Sequence, residues 1–146
     1  MTDLATVLAA DRLVDLTQPL GPATTLWPGS TPFQATTLAE YDTGPGYLRE
    51  LQVPEHAGTH LDAPAHFSPR GTRVDAIPLS TLVRPAVKLD VRGWVNGDAS
   101  ARVDASMILE LERVPARGAW LVAAPLKLVD GSGTPARVFA ILPTDA

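Results

Sequence analysis

The sequence predicts a single mixed α/β domain in which strands predominate. Its 146 residues fit one domain with a hydrophobic core of its own. Fourteen prolines and eleven glycines divide the chain into short segments, and most of the apolar segments between them have the length or the alternation of strands. We therefore expect residues 1–146 to form one domain whose pairing is mainly between β segments.

The first half of the chain predicts one short helix followed by strands. Thr2 or Asp3 can cap this helix at its N-terminus. The segments "RLVDLT", "FQATTLAEY" and "GYLRELQV" are typical of strands, and "DTGPG" is a turn between the last two. Residues Gln18–Pro32 are too rich in proline and glycine for regular structure, so we expect a long loop there.

The second half predicts three strands and one helix. "AVKLDV" is a compact apolar run typical of a buried strand. "DASMILELERV" has the apolar stripe of a helix, with Asp104 near its cap. We expect "AWLVAAPLKLV" and "ARVFAIL" to be the closing strands, joined by the turn "DGSGTP".

Composition and charge exclude several classes of function. The net charge is −4 and the basic residues are scattered, which is not the footprint of a nucleic-acid-binding protein. The chain has no cysteine, so disulfides, thiolate ligands and cysteine nucleophiles are excluded. No apolar run approaches the roughly 18 residues of a membrane span, and the first residues lack the basic start of a signal peptide. We expect a cytoplasmic protein with no membrane partner.

All three histidines of the chain lie within eleven residues, in the segment "EHAGTHLDAPAHF". His56, His60, Asp62 and His66 share the same parity, so an extended backbone would place them on one side, with Pro64 bending the path. Two imidazoles and a carboxylate are suitable ligands for Zn²⁺, Mn²⁺ or Fe²⁺. A metal held in this way with an open position lowers the pKa of a bound water and makes it a nucleophile for a carbonyl.

The neighbouring residues have supporting roles in this interpretation. His66 can transfer protons at the metal site or complete a second metal site. Gly58 lets the backbone come close to the metal or the substrate, and Thr59 can hold a ligand side chain by a hydrogen bond. The alternative is that the histidines are ordinary surface or core residues, but their density favours a metal or catalytic site.

Other candidate residues are ambiguous. Trp27, in the long loop, either plugs the core or lines a pocket. Glu110 and Glu112 are more typical of a solvated helix face than of ligands, and Trp94 is more typical of loop packing. "DGSGTP" lacks the lysine and helix of a phosphate-binding loop, and no fourth histidine is present to activate a serine nucleophile.

The segment "HAGTHLDAPAHF" resembles the signature of the cyclase family of metal-dependent hydrolases, to which bacterial kynurenine formamidase and isatin hydrolase belong. That signature is His-x-Gly-Thr-His-x-Asp-x-Pro-x-His, and every fixed position is met. Two further segments, "LVDLTQPLGPATTLWPGSTPF" and "APLKLVDGSGTPARVFAIL", resemble the family's N-terminal and closing segments. The resemblance implies a swivelling β/β/α domain.

The resemblance also implies roles for individual residues. His56, His60 and Asp62 would be the metal ligands, His66 the catalytic acid/base or a contributor to a second site, and Trp27 part of the substrate pocket. The cofactor would be Zn²⁺ or Mn²⁺. The reaction would be hydrolysis of an amide, formamide or lactam carbonyl, with N-formylkynurenine or an isatin-type compound as substrate, as in tryptophan catabolism. The protein would be a homodimer or a larger homo-oligomer.

The chain departs from the family's pattern in its second half. Family members carry a further histidine and glutamate there, whereas this chain has no histidine after His66 and has Ser106 near the acidic position. Glu110 or Glu112 could replace that acid if the helix were shifted, and a middle section is expected to be missing. Two alternatives therefore accompany the hydrolase: a non-catalytic protein that binds a metal or small ligand, and a structural paralogue that mainly oligomerises.

Overall fold

The computed structural model describes residues 3–90 and 110–144, and antiparallel strands predominate in it. The strands are β1 (Leu13–Asp15), β2 (Gln34–Ala39), β3 (Leu48–Gln52), β4 (His60–Asp62), β5 (Val83–Pro85), β6 (Trp120–Pro125) and β7 (Gly133–Ile141). The helices are α1 (Leu4–Val7) and α2 (Leu79–Leu82), with 3₁₀ turns at Ala10–Arg12, Pro64–His66, Val74–Ala76 and Leu111–Arg113. The expected mixed α/β, strand-rich class is confirmed.

Strand β7 organises the main sheet. From Ala136 to Ile141 it pairs with β6, which in turn pairs with β5. On its other side, the beginning of β7 pairs with β4 and its end pairs with β1. All of these pairs are antiparallel. One nine-residue strand therefore fixes the position of the histidine-bearing strand β4 relative to the core.

The core lies on one face of this sheet. Residues at every second position of β7 are buried, because successive side chains of a strand point to opposite faces. These side chains pack with residues of β1 and of the segment before β6. The buried cluster comprises Val14, Leu16, Val114, Ala119, Ala136, Val138 and Ala140.

Strands β2 and β3 form a separate two-stranded sheet. Every residue of β3 is exposed, and so are most residues of β2. The leucines Leu38, Leu48 and Leu51 are each more than half exposed. An isolated two-stranded hairpin is at best marginally stable in water, so this hairpin is a candidate for contact with another surface.

The buried strand expected at 86–91 is wrong for residues 86–90, and Val91 lies outside the described residues. The strand in this region is β5, which ends at Pro85, and the side chains of Val87 and Leu89 are exposed. The backbone continues alongside the segment before β6, since the Lys88 N–H donates to the Ala116 carbonyl at 3.0 Å. Because β5 is the edge strand of the sheet formed by residues 3–90 and 110–144, this continuation has a neighbour on one side only among those residues, and little there covers its apolar side chains.

Two other expectations for the second half are corrected or lie partly outside the described residues. The turn expected at 130–135 is shorter, because β7 already begins at Gly133 and pairs there with β4. The helix expected over 104–114 lies mostly outside the described residues, as do Trp94 and Ser106, and its described end is a 3₁₀ turn at Leu111–Arg113. The capped first helix, the long loop and the strands β1 to β3 agree with the sequence.

No helix in residues 3–90 and 110–144 has the length and apolar character needed to cross a membrane.

Candidate metal centre

The histidine segment is held against the start of β7. In the β4–β7 pairing, His60 lies opposite Pro135 and Asp62 lies opposite Gly133. Just beyond the strand, the Ala63 N–H donates to the Ser132 carbonyl at 2.9 Å. Backbone pairing therefore brings the "HLD" part of the motif beside the small residues that open β7.

A turn at Gly58 directs the segment from His56 into β4. Gly58 has a φ of 55°, a left-handed conformation that glycine adopts at little cost. Its N–H donates to the Thr25 carbonyl, and the adjoining residue Ala57 forms a bridge with Leu26. A Cβ on Gly58 would also lie 3.0 Å from the methyl group of Thr24. Gly58 thus lies against the long loop, and its expected approach to a metal or substrate stays a prediction.

The side chains of His60 and Asp62, two residues apart in β4, contact each other. The Nε2 atom of His60 lies 3.2 Å from Oδ1 of Asp62, and its Nδ1 atom lies 2.7 Å from the Gly58 carbonyl. A carbonyl oxygen only accepts hydrogen bonds, so Nδ1 of His60 carries the proton in this contact. In the neutral ring, the lone pair of Nε2 is then directed toward Asp62.

His56 contacts the same carboxylate oxygen. Its Nδ1 atom lies 2.8 Å from Oδ1 of Asp62, and its Nε2 atom lies 3.0 Å from the hydroxyl oxygen of Ser132. The ring is tightly enclosed, because a Cβ on Gly133 would overlap its Cε1 atom and lie 2.7 Å from its Nδ1 atom. Gly133 therefore provides the space that the His56 ring occupies.

His66 completes a cluster with His56 and Asp62. Pro64 starts a 3₁₀ turn that ends at His66 and bends the chain back, as the sequence predicts. The rings of His66 and His56 have centroids 3.9 Å apart, and Phe67 contacts the other side of His66. Donor atoms of His56, Asp62 and His66 all lie within 4.8 Å of one another, the one such group in the described part of the chain. His66 is the exposed member among the three histidines.

Glu55 and Ser132 lie directly behind His56. One oxygen of Glu55, Oε2, accepts a hydrogen bond from the Ser132 N–H at 2.9 Å and from the Ser132 hydroxyl at 2.6 Å. The bond from this hydroxyl, together with the backbone N–H groups of Ser132 and Gly133 and the neighbouring His56, lowers the pKa of Glu55, although partial burial opposes the shift. Glu55 is therefore a carboxylate at neutral pH.

Thr59 is buried on the core side of the motif. Its hydroxyl oxygen accepts a hydrogen bond from the backbone N–H of Gln18 at 3.0 Å, and its carbonyl accepts from Ala136. Thr59 thus ties the motif to the start of the long loop and to β7. Its role in holding a ligand side chain stays a prediction.

The remaining candidates do not belong to the three-donor cluster. Trp27 is 72% exposed, so it does not plug the core; it follows Leu26, whose bridge to Ala57 brings this part of the loop next to the motif. Glu110 pairs with Arg113 three residues later, and Glu112 is exposed. Neither glutamate belongs to the three-donor group, which agrees with their interpretation as solvated residues.

Sequence reasoning did not identify Glu55, Ser132 and Gly133. Glu55 directly precedes the first histidine, and Ser132 and Gly133 lie in a segment that reads as an ordinary turn. The only signal was the density of small residues in "DGSGTP", which is also typical of a turn. Their importance follows from the register of β4 and β7, which a single sequence does not contain.

The chemistry of this donor set fits a divalent metal ion. Oδ1 of Asp62 has the Nε2 atom of His60 and the Nδ1 atom of His56 as neighbours, at 3.2 and 2.8 Å. At such distances a carboxylate oxygen and a ring nitrogen share either a ring proton or a metal ion, since the two lone pairs would otherwise repel each other. Imidazole nitrogens and carboxylate oxygens are the usual ligands of Zn²⁺ and Mn²⁺.

The comparisons with known proteins agree on one family. The family model described as "Putative cyclase" matches residues 14–124. A kynurenine formamidase from Salinibacter ruber is 38% identical over 81 residues, a match that covers 54% of this chain and only 38% of that protein. This chain thus aligns with well under half the length of that curated relative.

Solved structures show the same fold. Isatin hydrolase A from Ralstonia solanacearum superposes with a TM-score of 0.76 at 25% identity, covering 95% of each chain. A protein described as a predicted metal-dependent hydrolase, from Bacillus stearothermophilus, superposes with a TM-score of 0.62 at 22% identity, covering 88% of this chain and 97% of the other. The swivelling fold implied by the motif is therefore confirmed by structural similarity.

Proposed function

Because the chain belongs to the cyclase family, we propose that it is a metal-dependent hydrolase that cleaves an amide, formamide or lactam carbonyl. N-formylkynurenine and isatin-type compounds are the substrates that fit this proposal, since similar proteins are a kynurenine formamidase and an isatin hydrolase. One observation carries the proposal: the Asp62 carboxylate oxygen has ring nitrogens of His56 and His60 as near neighbours.

In this proposal His56, His60 and Asp62 hold the metal ion, which is Zn²⁺ or Mn²⁺. The carboxylate adds the negative charge that two neutral imidazoles lack, which favours a divalent ion over water at the site. When bound, the ion supplies Lewis acidity that polarises the substrate carbonyl and lowers the pKa of a water. His60 is half-buried, so its ring has little rotational freedom before the metal binds. Binding the metal therefore costs less conformational entropy at this residue.

His66 is the proton-transfer residue of the proposed reaction. Its ring contacts that of His56, yet its side chain is exposed and its ring nitrogens form no hydrogen bond with the described residues. An imidazole in this position can take a proton from the attacking water and return it to the leaving nitrogen, which are the two transfers that amide hydrolysis requires. Contact with Phe67 limits the rotation of its ring.

Trp27 is the proposed wall of the substrate site. Its indole is exposed, and its loop is attached to the motif by the Leu26–Ala57 bridge and the Gly58–Thr25 hydrogen bond. A planar aromatic substrate can stack on an exposed indole.

A cytoplasmic location is part of the same proposal, because a chain with no cysteine needs no oxidising compartment to form disulfides.

Self-association is also proposed. The β2–β3 hairpin makes its extensive contacts only between its own two strands among the described elements. In the expected closing strand "AWLVAAPLKLV", the side chains of Trp120, Leu126 and Val129 are exposed as well. Exposed apolar surface of this kind is typical of interfaces. The alternative role of an oligomerising structural paralogue is supported by this same observation.

Metal content and turnover together test the proposed function. Purified protein is loaded with zinc or manganese, washed and analysed for bound metal, beside His60→Ala and Asp62→Ala. We expect about one equivalent in the wild type and little in either variant, with chelator-sensitive hydrolysis of N-formylkynurenine or isatin. Metal binding without turnover of amides, formamides and lactams would favour the non-catalytic alternative. A wild type that holds no metal would contradict the proposal.

A further inference from the structure

Residues 63–74 form a loop whose two ends are attached to the segment just before β7. The Ala63 N–H donates to the Ser132 carbonyl at 2.9 Å, and the Val74 N–H donates to the Gly131 carbonyl at 3.0 Å. Two adjacent carbonyls therefore hold the beginning and the end of the 63–74 loop. The proposed proton-transfer residue belongs to this loop, so its position depends on how the loop is held.

Backbone hydrogen bonds also join the two sides of the 63–74 loop. The Ala65 N–H donates to the Thr72 carbonyl at 3.1 Å, and the Gly71 N–H donates to the Ser68 carbonyl at 2.8 Å. The returning chain is thereby paired with the 3₁₀ turn at Pro64–His66. A backbone held in this way has lost much of its conformational freedom before any substrate binds.

Gly71 lies directly against the backbone of this 3₁₀ turn. A Cβ on Gly71 would overlap the Pro64 carbonyl carbon and lie 2.5 Å from the Ala65 nitrogen, whereas ordinary non-bonded contacts are roughly 3.5–4.0 Å. The neighbouring atoms belong to the backbone, so they cannot turn aside as the end of a flexible side chain can. The φ of Gly71 is not positive, and the requirement for glycine is therefore steric. Any side chain here would separate the returning chain from the turn.

His66 ends the 3₁₀ turn and takes its direction from it. Its N–H donates to the Ala63 carbonyl at 2.9 Å, and the centroid of its ring lies 3.9 Å from that of His56 and 4.2 Å from that of Phe67. The ring nitrogens form no hydrogen bond with the described residues. The orientation of the ring thus depends on the backbone that carries it and on these two ring contacts.

We propose that Gly71 is a positioning residue for His66. By allowing the returning chain of the 63–74 loop to lie against the turn at Pro64–His66, it fixes the orientation in which His66 faces the metal site. Gly71 acts through the backbone and is assigned no contact with the substrate. This inference rests on the proposed function, because it concerns the proton-transfer residue of that reaction.

Kinetics of Gly71→Ala give the first test. Misplacement of a reacting group by about 1 Å can cost roughly 100-fold in rate, so kcat of the zinc-loaded protein for N-formylkynurenine should fall by roughly 10- to 100-fold, with KM close to the wild type. Gly46→Ala is the matched control, because a Cβ there meets no atom within 4 Å.

A purely structural effect of Gly71→Ala would reduce turnover only in proportion to the folded fraction, which circular dichroism measures. A kcat per folded molecule that falls in Gly71→Ala and not in Gly46→Ala supports the inference. A kcat per folded molecule equal to that of the wild type would overturn it.

The position of the His66 ring can also be observed in the metal-free protein, without turnover. The chain has three histidines, so the ring-proton signals in an NMR spectrum are few, and His66→Gln identifies those of His66. In Gly71→Ala we expect the His66 signals to move, because the rings of His56 and Phe67 shift the resonances of nearby protons. The signals of His60 should stay in place. Coinciding His66 signals in the wild type and Gly71→Ala would contradict the proposed positioning.

Hydrogen exchange tests the loop in the wild type, and it decides the question if Gly71→Ala does not fold. The amides of Ala65, Gly71 and Val74 each donate to a carbonyl, so they should be protected from exchange. Protection of all three supports a loop that holds its histidine in place. Exchange of all three at the rate of an unfolded peptide would mean that the loop is not held, and the inference would fail.

These readouts separate the inference from the proposed function. A wild type with neither zinc nor turnover, whose His66 signals still respond to Gly71→Ala, would refute the proposed function and support the positioning of His66. A zinc-dependent hydrolase whose kcat and His66 signals are the same in Gly71→Ala would refute the inference alone.

Discussion

Gly133 and His56 occupy adjoining space so closely that a methyl group on Gly133 would overlap the imidazole ring of His56. Gly133 also lies opposite Asp62 in the β4–β7 pairing. This one position of β7 is therefore adjacent to two of the proposed ligands, His56 and Asp62. The φ of Gly133 is not positive, so the backbone conformation does not require glycine here. The site requires it because any side chain would overlap the His56 ring.

Gly133→Ala is therefore expected to displace the His56 ring. Zinc affinity should fall by at least about tenfold, as for other changes that misplace a metal ligand. The strain of an inserted methyl group should also destabilise the fold by about 1–3 kcal/mol. Chelator competition and urea unfolding measure the two effects. Gly46→Ala is the control, because a Cβ there meets no atom within 4 Å; equal affinities in the two variants would contradict the prediction.

His66→Gln should separate proton transfer from metal binding. Removal of a general acid/base lowers turnover by roughly 10²- to 10⁴-fold, while the metal bound by His56, His60 and Asp62 should remain. Metal analysis and steady-state kinetics on the same preparation test both parts. Loss of metal in His66→Gln would instead indicate that His66 is itself a ligand, in agreement with its place in the three-donor cluster.

Trp27→Ala should weaken substrate binding and leave the fold and the metal content unchanged. Its indole is 72% exposed, so its removal leaves no cavity in the core. Loss of one aromatic stacking contact should raise KM for an aromatic substrate by roughly twofold to tenfold. Tyr41→Ala, another strongly exposed aromatic residue, is the control and should not change KM. A KM for Trp27→Ala equal to that of the wild type would exclude Trp27 from the substrate site.

Asp15→Asn should reduce stability at neutral pH but not in acid. Arg137 forms two hydrogen bonds to the Asp15 carboxylate, at 3.0 and 2.6 Å, and these bonds lower the pKa of Asp15. A lowered pKa means that the contribution is complete above the ordinary titration range of aspartate, near pH 4, and is lost as pH falls through the folded-state pKa.

The pair is exposed, so the expected difference at pH 7 is within about 1 kcal/mol. Urea unfolding of wild type and Asp15→Asn at several pH values measures it. The two stabilities should converge below about pH 4, the ordinary range of aspartate. A difference that grows on acidification would contradict the assigned cause of the pKa shift.

Changes in the β2–β3 hairpin should alter self-association. Leu48 and Leu51 are both more than half exposed and, by the alternation of a strand, lie on opposite faces of the hairpin. The double variant Leu48→Lys with Leu51→Lys should shift the protein to a smaller species in size-exclusion chromatography with light scattering. Leu79→Lys, in the exposed helix α2, should not. A monomeric wild type at high concentration would refute self-association.

The sequence by itself determined the local features of this protein. The cap at Asp3, the turn between β2 and β3 and the bend at Pro64 all depend on residues close in the chain. The motif "HAGTHLDAPAHF" identified the family and its candidate ligands for the same reason, because the four side chains are separated by fixed short spacings. The end of β5 and the exposure of Val87 and Leu89 could not be predicted locally, since burial depends on which strand lies at the edge of the sheet.

Only the tertiary structure decided what lies behind and beside the histidines. Ser132 is 76 residues from His56 in the chain, and their contact exists because β4 and β7 pair in one particular register. A shift of that register by one residue would turn the side chains to the other face, and the serine hydroxyl, the glycine gap and the Glu55 carboxylate would no longer meet the His56 ring. The candidate ligands thus lie in one short segment of the sequence, whereas their orientation depends on the long-range pairing of two strands.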